Sequence, residues 1–184
     1  MADLLTVLQQ GPVRLEPLAE HHIEPLRATC AEDQEIWDIY PISMLDEHFD
    51  KAMELFHNTG NWARFAVIHN DTGKLVGMSN YINPDPLMKV TEIGGTYIAP
   101  SVRGSGFNDV MKKLMIDHAF DCGFQRIEFR VDTRNKRSMA AVLKLGAKHE
   151  GTLRQNRITW TGYVRDTAVF GLLKGEWPKG DQGA

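Results

Sequence analysis

The fold is decided by residues 92–108, which read EIGGTYIAPSVRGSGFN. The first half has the β-branched and aromatic residues of a strand, and Pro100 ends it. The second half, from Arg103 to Asn108, places two glycines directly before an amphipathic segment that predicts a helix over 108–122. This order predicts a phosphate-binding site, because the first turn of a helix presents unpaired N–H groups and the positive end of the helix dipole.

The loop is also consistent with a glycine-rich turn that holds no ligand. Arg103 favours a ligand, because a guanidinium group binds phosphate oxygens well. Two other phosphate motifs do not fit. A P-loop ends in Gly-Lys-Ser/Thr, and the dinucleotide fingerprint needs a third small residue where Asp109 stands.

The preceding strand contains the paired glycines Gly94 and Gly95, which predict a bulge or the close approach of another backbone. If this strand parts from the strand predicted over 126–132, a V-shaped gap exposes unpaired backbone groups. An extended ligand with amide groups can then bind as an additional strand. A molecule with a pyrophosphate at one end and a peptide-like arm at the other is coenzyme A.

Hydrophobic periodicity predicts the remaining elements. Helices are predicted to begin near Ala19, Asp46 and Asn108, and a fourth is capped by Asn135 and ended by Gly146. Further strands are predicted over 13–18, 65–68, 75–82, 90–98 and twice within 148–173. Only the last two helices require crossovers. We therefore expect an α/β fold of the α+β type, whose mostly antiparallel mixed sheet has about seven strands, parts in the middle and carries about four helices.

The composition is that of a folded globular chain, with 184 residues, of which 42% are hydrophobic and 24% charged. One domain over 1–184, with a core of about 13–178, accounts for this length. No apolar run is long enough to cross a membrane and no signal peptide is recognisable, so a cytoplasmic protein is expected. Cys30 and Cys122 lie far apart, and neither they nor the seven histidines show metal-ligand spacing, so no metal is expected.

Charge is distributed unevenly along the chain. Residues 1–100 contain 15 Asp/Glu and 6 Lys/Arg, whereas residues 101–184 contain 9 and 15. Two explanations fit this asymmetry. The charged residues lie on solvent-exposed helix faces that happen to differ, or the two halves of the chain bind ligands of opposite charge. The acidic stretch 32–54, with its aromatic residues Trp37, Tyr40 and Phe49, would suit a cationic amine, although such aromatics are usually core. The net charge of -3 disfavours nucleic-acid binding.

Several motifs together resemble the Gcn5-related N-acetyltransferase (GNAT) superfamily, most closely the branch of the ribosomal-protein N-terminal acetyltransferases. The motifs are Glu92-Ile93-Gly94, Pro100, Arg103-Gly104-Ser105-Gly106, Asn135-Lys136-Arg137-Ser138, Leu145-Gly146-Ala147 and Glu150-Gly151. The resemblance extends from Val13 to Pro178. It implies the GNAT fold and acetyl-CoA as co-substrate.

The resemblance also implies which residues bind the cofactor. It assigns the pyrophosphate to four residues of the loop, Arg103, Gly104, Ser105 and Gly106. It implies that the Tyr97 and Ile98 backbone pairs with the pantetheine arm, which Asn135 contacts from the other wall, and that Arg137 reaches a CoA phosphate.

Two positions depart from the superfamily pattern. Asn108 stands where Gly or Ala is usual, and we expect it to tilt or cap the helix start beside the bound phosphate. Gly95 replaces an aromatic residue common in this branch, which implies a roomier acceptor side.

Acetyl transfer to an amine needs a base, a polarised carbonyl and a proton for the departing thiolate. Glu92 is the candidate base, directly or through water, and an ordinary cross-strand charge is the alternative. The resemblance implies that the Ser138 hydroxyl lies near the CoA sulfur, although a serine is common in a first helical turn. A backbone N–H near Tyr97 or Ile98 would polarise the carbonyl.

The sequence therefore predicts an acetyl-CoA-dependent N-acetyltransferase that acts on a primary amine of a protein N-terminus or a small molecule, which we expect to be cationic. A non-catalytic acyl-CoA sensor is the main alternative, and a phosphate-binding protein unrelated to CoA is a third. Exposed edges of the last strands make a homodimer plausible.

Overall fold

The computed structural model describes residues 3–178 and is built on one eight-stranded sheet with the order β1-β2-β3-β4-β5-β6-β8-β7. Its strands are β1 (Leu8–Gln10), β2 (Val13–Pro17), β3 (Trp62–His69), β4 (Lys74–Asp85), β5 (Val90–Ile98), β6 (Arg126–Asp132), β7 (Lys148–Ile158) and β8 (Val164–Leu173). The expected mixed, mostly antiparallel sheet is confirmed. The short edge strand β1 brings the number of strands to eight, one above the number expected.

Four α-helices accompany the sheet, as expected: α1 (Ile23–Cys30), α2 (Asp46–Asn58), α3 (Phe107–Asp121) and α4 (Lys136–Lys144). The predicted cap of α4 is present, because Asn135 Oδ1 accepts a hydrogen bond from the Ser138 N–H at 3.0 Å. Gly146, with φ of +87°, follows the end of this helix.

Apolar clusters pack against both faces of the central part of the sheet. On one face α3 packs over the strands, and the Tyr81 hydroxyl donates to the Met115 carbonyl at 2.7 Å. On the other face a second cluster includes Trp37, Phe49 and Tyr97, and the Tyr97 hydroxyl donates to the Thr29 carbonyl of α1 at 2.9 Å. The two clusters hold the helices against the central strands, where the candidate site lies.

Strands β5 and β6 form the only parallel pair among the described residues. They are paired at three positions: Val90 with Arg126, Thr91 with Ile127 and Glu92 with Glu128. Beyond Glu92, β5 continues along β4, whereas β6 continues along β8 as far as Asp132. The sheet therefore parts in its middle, as the sequence predicted.

The two glycines of β5 form the expected bulge. The register with β4 shifts between Met78 and Asn80, and Gly95 adopts a φ of +56°. Asn80 Nδ2 donates to the carbonyls of Gly94 and Gly95, each at 3.1 Å. A Cβ on Gly95 would lie 2.6 Å from this amide nitrogen, so a larger residue at position 95 would displace the Asn80 side chain and break its hydrogen bonds to the bulge. A bulge bends its strand, which is how β5 leaves β6.

Within residues 3–178, no helix is long and apolar enough to cross a membrane. The single domain, the cytoplasmic location and the homodimer stay predictions.

Candidate active site

A cavity of about 1110 Å³ opens where β5 and β6 part. Its walls are the ends of these two strands, the start of α3 and the start of α4. The cavity brings together all the predicted site residues except Ser105: Glu92, Tyr97, Ile98, Arg103, Gly104, Gly106, Asn108, Asn135, Arg137 and Ser138. Residues that are distant in the sequence thus line one continuous cleft.

The loop before α3 presents unpaired backbone donors. Gly104 and Gly106 adopt φ of +78° and +83°, the left-handed conformation that glycine adopts without strain. Among residues 3–178, no acceptor is bonded to the backbone N–H groups of Gly104, Ser105, Gly106 or Asn108. Ser105 itself bonds within the loop, since its hydroxyl donates to the Val102 carbonyl at 2.8 Å. Several free donors at a helix N-terminus form a seat for an anion.

Arg103 is engaged mainly with the protein rather than with the open side of the loop. Its Nε donates to the Ile98 carbonyl at 2.7 Å, and one of its terminal nitrogens forms an ion pair with Asp33. The guanidinium also lies 5.7 Å from the centre of the Tyr97 ring. This arginine therefore ties the loop to β5, and its contact with a phosphate stays a prediction.

At its end, the gap-facing edge of β5 offers one backbone donor, the Ile98 N–H, whereas the nearby carbonyls are occupied. The Ala99 N–H bonds to the Val76 carbonyl of β4, so the backbone groups of Ile98 face the opposite way, into the gap. The Ile98 carbonyl already accepts from Arg103, and the Thr96 carbonyl accepts from the Tyr40 hydroxyl at 2.5 Å. A ligand in the gap meets the Ile98 N–H as an available partner.

Tyr40 has a role that the sequence did not reveal. It comes from the irregular segment between α1 and α2, and burial raises the pKa of its hydroxyl to about 12. The hydroxyl therefore keeps its proton near neutral pH and holds the end of β5 in place. The local sequence around Tyr40 does not predict this hydrogen bond, because Tyr40 and Thr96 lie 56 positions apart.

The opposite wall is formed by the start of α4. Asn135 uses its side-chain oxygen to cap the helix, so its amide NH2 is the part that remains for a ligand. Ser138 is half-buried, Arg137 is exposed, and both line the cavity. Asn108 does not cap α3, whose cap is Gly106, and its half-buried side chain lines the cavity instead.

Glu92 lies where the two strands part. Its side chain is 17% exposed, and its Oε2 lies 3.4 Å from Arg130 Nε. Burial raises the pKa of the Glu92 carboxyl above its usual value, while the positive charges of Arg130 and Arg157 oppose that rise. A carboxylate with a raised pKa is a better proton acceptor than an ordinary one.

Comparison with known proteins supports the geometry. The sequence model of the acetyltransferase (GNAT) domain family matches residues 13–148. The chain belongs to the GNAT acetyltransferase family. It is 24% identical over 178 residues to an uncharacterized N-acetyltransferase, YoaA, of Bacillus subtilis strain 168, covering 93% of this chain and 98% of that one. The chain is an N-acetyltransferase, which confirms the resemblance that the sequence motifs indicated.

Solved structures agree with this assignment. A GCN5-related N-acetyltransferase from Brucella melitensis superimposes with a TM-score of 0.86 and 27% identity, over 95% of this chain and 81% of that one. RimJ of Mycobacterium smegmatis, solved in complex with CoA-disulfide, has a TM-score of 0.78 and 22% identity, over 95% and 88% of the two chains. The second similarity shows that the fold is shared.

The acetyltransferase also carries a buried lysine in its cleft. Lys112 of α3 is 7% exposed, and its Nζ lies 2.6 Å from Thr96 Oγ1 and 3.3 Å from Ser79 Oγ. It forms no ion pair with any carboxylate of residues 3–178, and burial lowers its pKa to about 7. This residue was not predicted from the sequence, although its spacing of four from Ile116 and of eight from Phe120 places it on a buried stripe of α3.

The acidic stretch 32–54 contributes apolar and aromatic residues to the lining of the cleft. The cavity contacts Trp37, Tyr40 and their neighbours, and none of the Asp or Glu side chains of this stretch. Trp37 and Phe49 are core residues with exposures of 1% and 0%. The expected acidic lining is therefore wrong, because those carboxylates point to solvent or, like Asp33, pair with arginines.

Two histidines lie together with Glu16, although the sequence spacing of the histidines indicated no such group. His21 and His22 lie in a short 3-10 turn with ring centres 3.9 Å apart, and their ligand atoms are within 4.8 Å of Glu16. The Ala19 N–H donates to His22 Nδ1, so a neutral His22 carries its proton on Nε2, which lies 3.3 Å from Glu16 Oε2. That nitrogen has no lone pair for a metal, so the cluster is explained by its own hydrogen bonds.

Proposed function

We propose that this acetyltransferase moves an acetyl group from acetyl-CoA directly to a primary amine of a protein N-terminus or a small molecule. The observation that carries the proposal is the separation of β5 and β6 directly after the Glu92–Glu128 pair. It leaves a cleft with a carboxylate at its closed end, backbone donors on one wall and an anion seat at the mouth.

The residues present fit coenzyme A. The free N–H groups of Gly104, Ser105, Gly106 and Asn108 suit a pyrophosphate, whose charge also interacts favourably with the α3 dipole. Arg137 is exposed on the opposite wall, has no ion-pair partner among residues 3–178, and is suited to a CoA phosphate. The Ile98 N–H and the Asn135 amide group are available for the amides of the pantetheine arm.

Two side chains would handle protons during the transfer. Glu92 accepts the proton that the amine loses as its nitrogen bonds to the acetyl carbon, either directly or through water. Ser138 supplies a proton to the sulfur as the carbon–sulfur bond breaks, and solvent restores both groups. A base matters more for a lysine side chain, whose pKa is about 10.4, than for an α-amine, whose pKa is about 8.

The proposal is tested by incubating the full chain with acetyl-CoA and a panel of primary amines while measuring free thiol. We expect thiol release that requires an amine, together with a rise in melting temperature when acetyl-CoA is added. A rise in melting temperature without thiol release for any amine would favour the non-catalytic sensor. The absence of both thiol release and a rise in melting temperature would argue against CoA as the ligand.

A further inference from the structure

Two arginines that line the cavity, Arg157 and Arg165, lie close together and are only partly compensated by negative charge. Arg157 of β7 and Arg165 of β8 are direct partners in the antiparallel register, so their side chains lie on the same face of the sheet. Both line the cavity. Like charges opposite each other on paired strands destabilise a fold unless another group compensates them.

Arg165 is a buried cation with weak compensation. The residue is 5% exposed, and its Nε donates to Thr167 Oγ1 at 3.0 Å. Its nearest carboxylate oxygen is Asp132 Oδ2, at 3.8 Å. That carboxylate is already bound by Arg134, whose Nε and terminal nitrogen donate to it at 3.0 and 2.8 Å. Burial lowers the pKa of Arg165, and the charge of Arg157 adds to this effect, while the carboxylates of Asp132 and Glu92 oppose it.

The other carboxylates on this face are also occupied. The Glu128 carboxylate forms ion pairs with Arg126 Nε at 3.0 Å and with a terminal nitrogen of Arg130 at 3.2 Å. The Glu92 carboxylate forms an ion pair with Arg130 Nε at 3.4 Å. Within residues 3–178, Arg157 forms no hydrogen bond or ion pair through its side chain. Arg157 is exposed, and buried Arg165 has only Asp132, which it shares with Arg134, so the pair leaves positive charge in the cavity that is not fully compensated.

We propose that Arg157 and Arg165 bind a carboxylate of the acceptor, so that this enzyme acetylates the amine of a small amino acid-like molecule. The inference rests on the proposed function, since it names the substrate class of the same site. Glu92, Arg157 and Arg165 line the same cavity, so an acceptor whose amine lies at Glu92 can place a carboxylate at the arginine pair.

The remaining lining indicates the side chain of this acceptor. Apolar and aromatic residues also line the cavity, among them Tyr40, Ile42, Trp62 and Ile82. Pockets of this composition favour apolar ligands held by a few polar groups. Phenylalanine and phenethylamine are suitable probes, because they differ only in the carboxylate.

The first test compares kcat/KM for phenylalanine, phenylalanine amide and phenethylamine, with rates expressed per unprotonated amine. We expect phenylalanine to exceed both carboxylate-free amines by about tenfold or more, as a charged hydrogen bond predicts. A phosphate-bearing amine and a peptide with a neutral N-terminal sequence complete the panel. Preference for either of these, or equal rates for phenylalanine and phenethylamine, would overturn the inference.

The second test uses matched variants. Arg157→Gln should reduce the ratio of phenylalanine to phenethylamine kcat/KM about tenfold or more, and Arg165→Gln should do the same where it folds. Arg154→Gln is the control, because Arg154 is an exposed arginine of the same strand outside the cavity, and it should leave the ratio unchanged. An unchanged ratio in Arg157→Gln would contradict the inference. If no amine in the panel releases thiol, the proposed function itself fails, which is a separate outcome.

Discussion

Glu92 and Arg130 face each other where β5 and β6 part, with Glu92 Oε2 3.4 Å from Arg130 Nε. The two effects on this carboxylate oppose each other. Burial raises the pKa of Glu92, and the guanidinium of Arg130 restrains the rise. Arg130 is therefore one of the groups that determine the pKa of the Glu92 carboxyl.

Replacing Arg130 by Met should raise the pKa of Glu92 further, because the positive charge that favours the carboxylate form is removed. The measurement is an NMR titration of the Glu92 carboxyl carbon, assigned with the Glu92→Gln variant. Arg154→Met provides the control, since its side chain lies outside the cavity. A pKa that stays constant or falls in Arg130→Met would show that the guanidinium does not act on this carboxylate.

Glu92→Gln should lower kcat by about 100-fold or more if Glu92 is the base, the range typical of lost general-base catalysis. The affinity for CoA should not change, because the predicted CoA contacts lie along the cleft and at α3. Calorimetry with CoA and the thiol-release assay measure the two quantities separately. A parallel loss of CoA affinity and rate would instead assign Glu92 to cofactor binding.

Gly94→Ala should reduce kcat because it displaces the base. A Cβ at this position would lie 2.8 Å from Glu92 Oε1 and 2.9 Å from Ile82 Cδ1, so the carboxylate has to move. Gly60→Ala is the matched control, since no atom lies within 4 Å of its added Cβ. Normal kcat in Gly94→Ala would mean that the position of the Glu92 carboxylate is not critical.

Lys112→Met should stabilise the protein at neutral pH. The pKa of this lysine falls from 10.5 to about 7 on folding, so the unfolded chain binds more protons between these pH values. Lys112 therefore makes wild-type stability rise with pH across that window, and its unfavourable effect is largest below pH 7. Ser79 and Thr96 keep a mutual hydrogen bond of 2.7 Å without it.

Urea unfolding of the two proteins at several pH values measures this difference. The stability advantage of Lys112→Met should amount to a few kcal/mol at or below pH 7 and should shrink towards pH 10.5. The difference is informative because other groups titrate equally in both proteins. A pH-independent difference would show that Lys112 is not desolvated.

The central strands were predictable because their patterns are local. Alternating side chains gave the observed bounds of β6, Arg126–Asp132, and the aromatic and β-branched run before Pro100 gave those of β5, Val90–Ile98. The cap at Asn135 was equally local, since it depends on a residue three positions ahead. The loop glycines marked the anion seat for the same reason.

The Arg157–Arg165 pair was not predictable in this way, because it depends on the register between two strands. Leu153 pairs with Thr167 but Arg157 pairs with Arg165, so β7 contains two extra residues between these pairs. This irregularity places the two arginines together, and no periodicity in either strand signals it. The number of acidic residues in 32–54 suggested a cationic acceptor. A count of charges along the sequence does not show which carboxylates are already paired with arginines.

The central claim is that the cleft between β5 and β6 receives the pantetheine arm while the loop before α3 holds the pyrophosphate. A crystal structure of the chain with bound CoA tests it most directly. We predict phosphate oxygens within hydrogen-bond distance of the Gly104, Ser105 and Gly106 N–H groups and an arm that accepts a hydrogen bond from the Ile98 N–H. CoA bound outside the cleft, with β5 and β6 paired beyond Glu92 and Glu128, would contradict it.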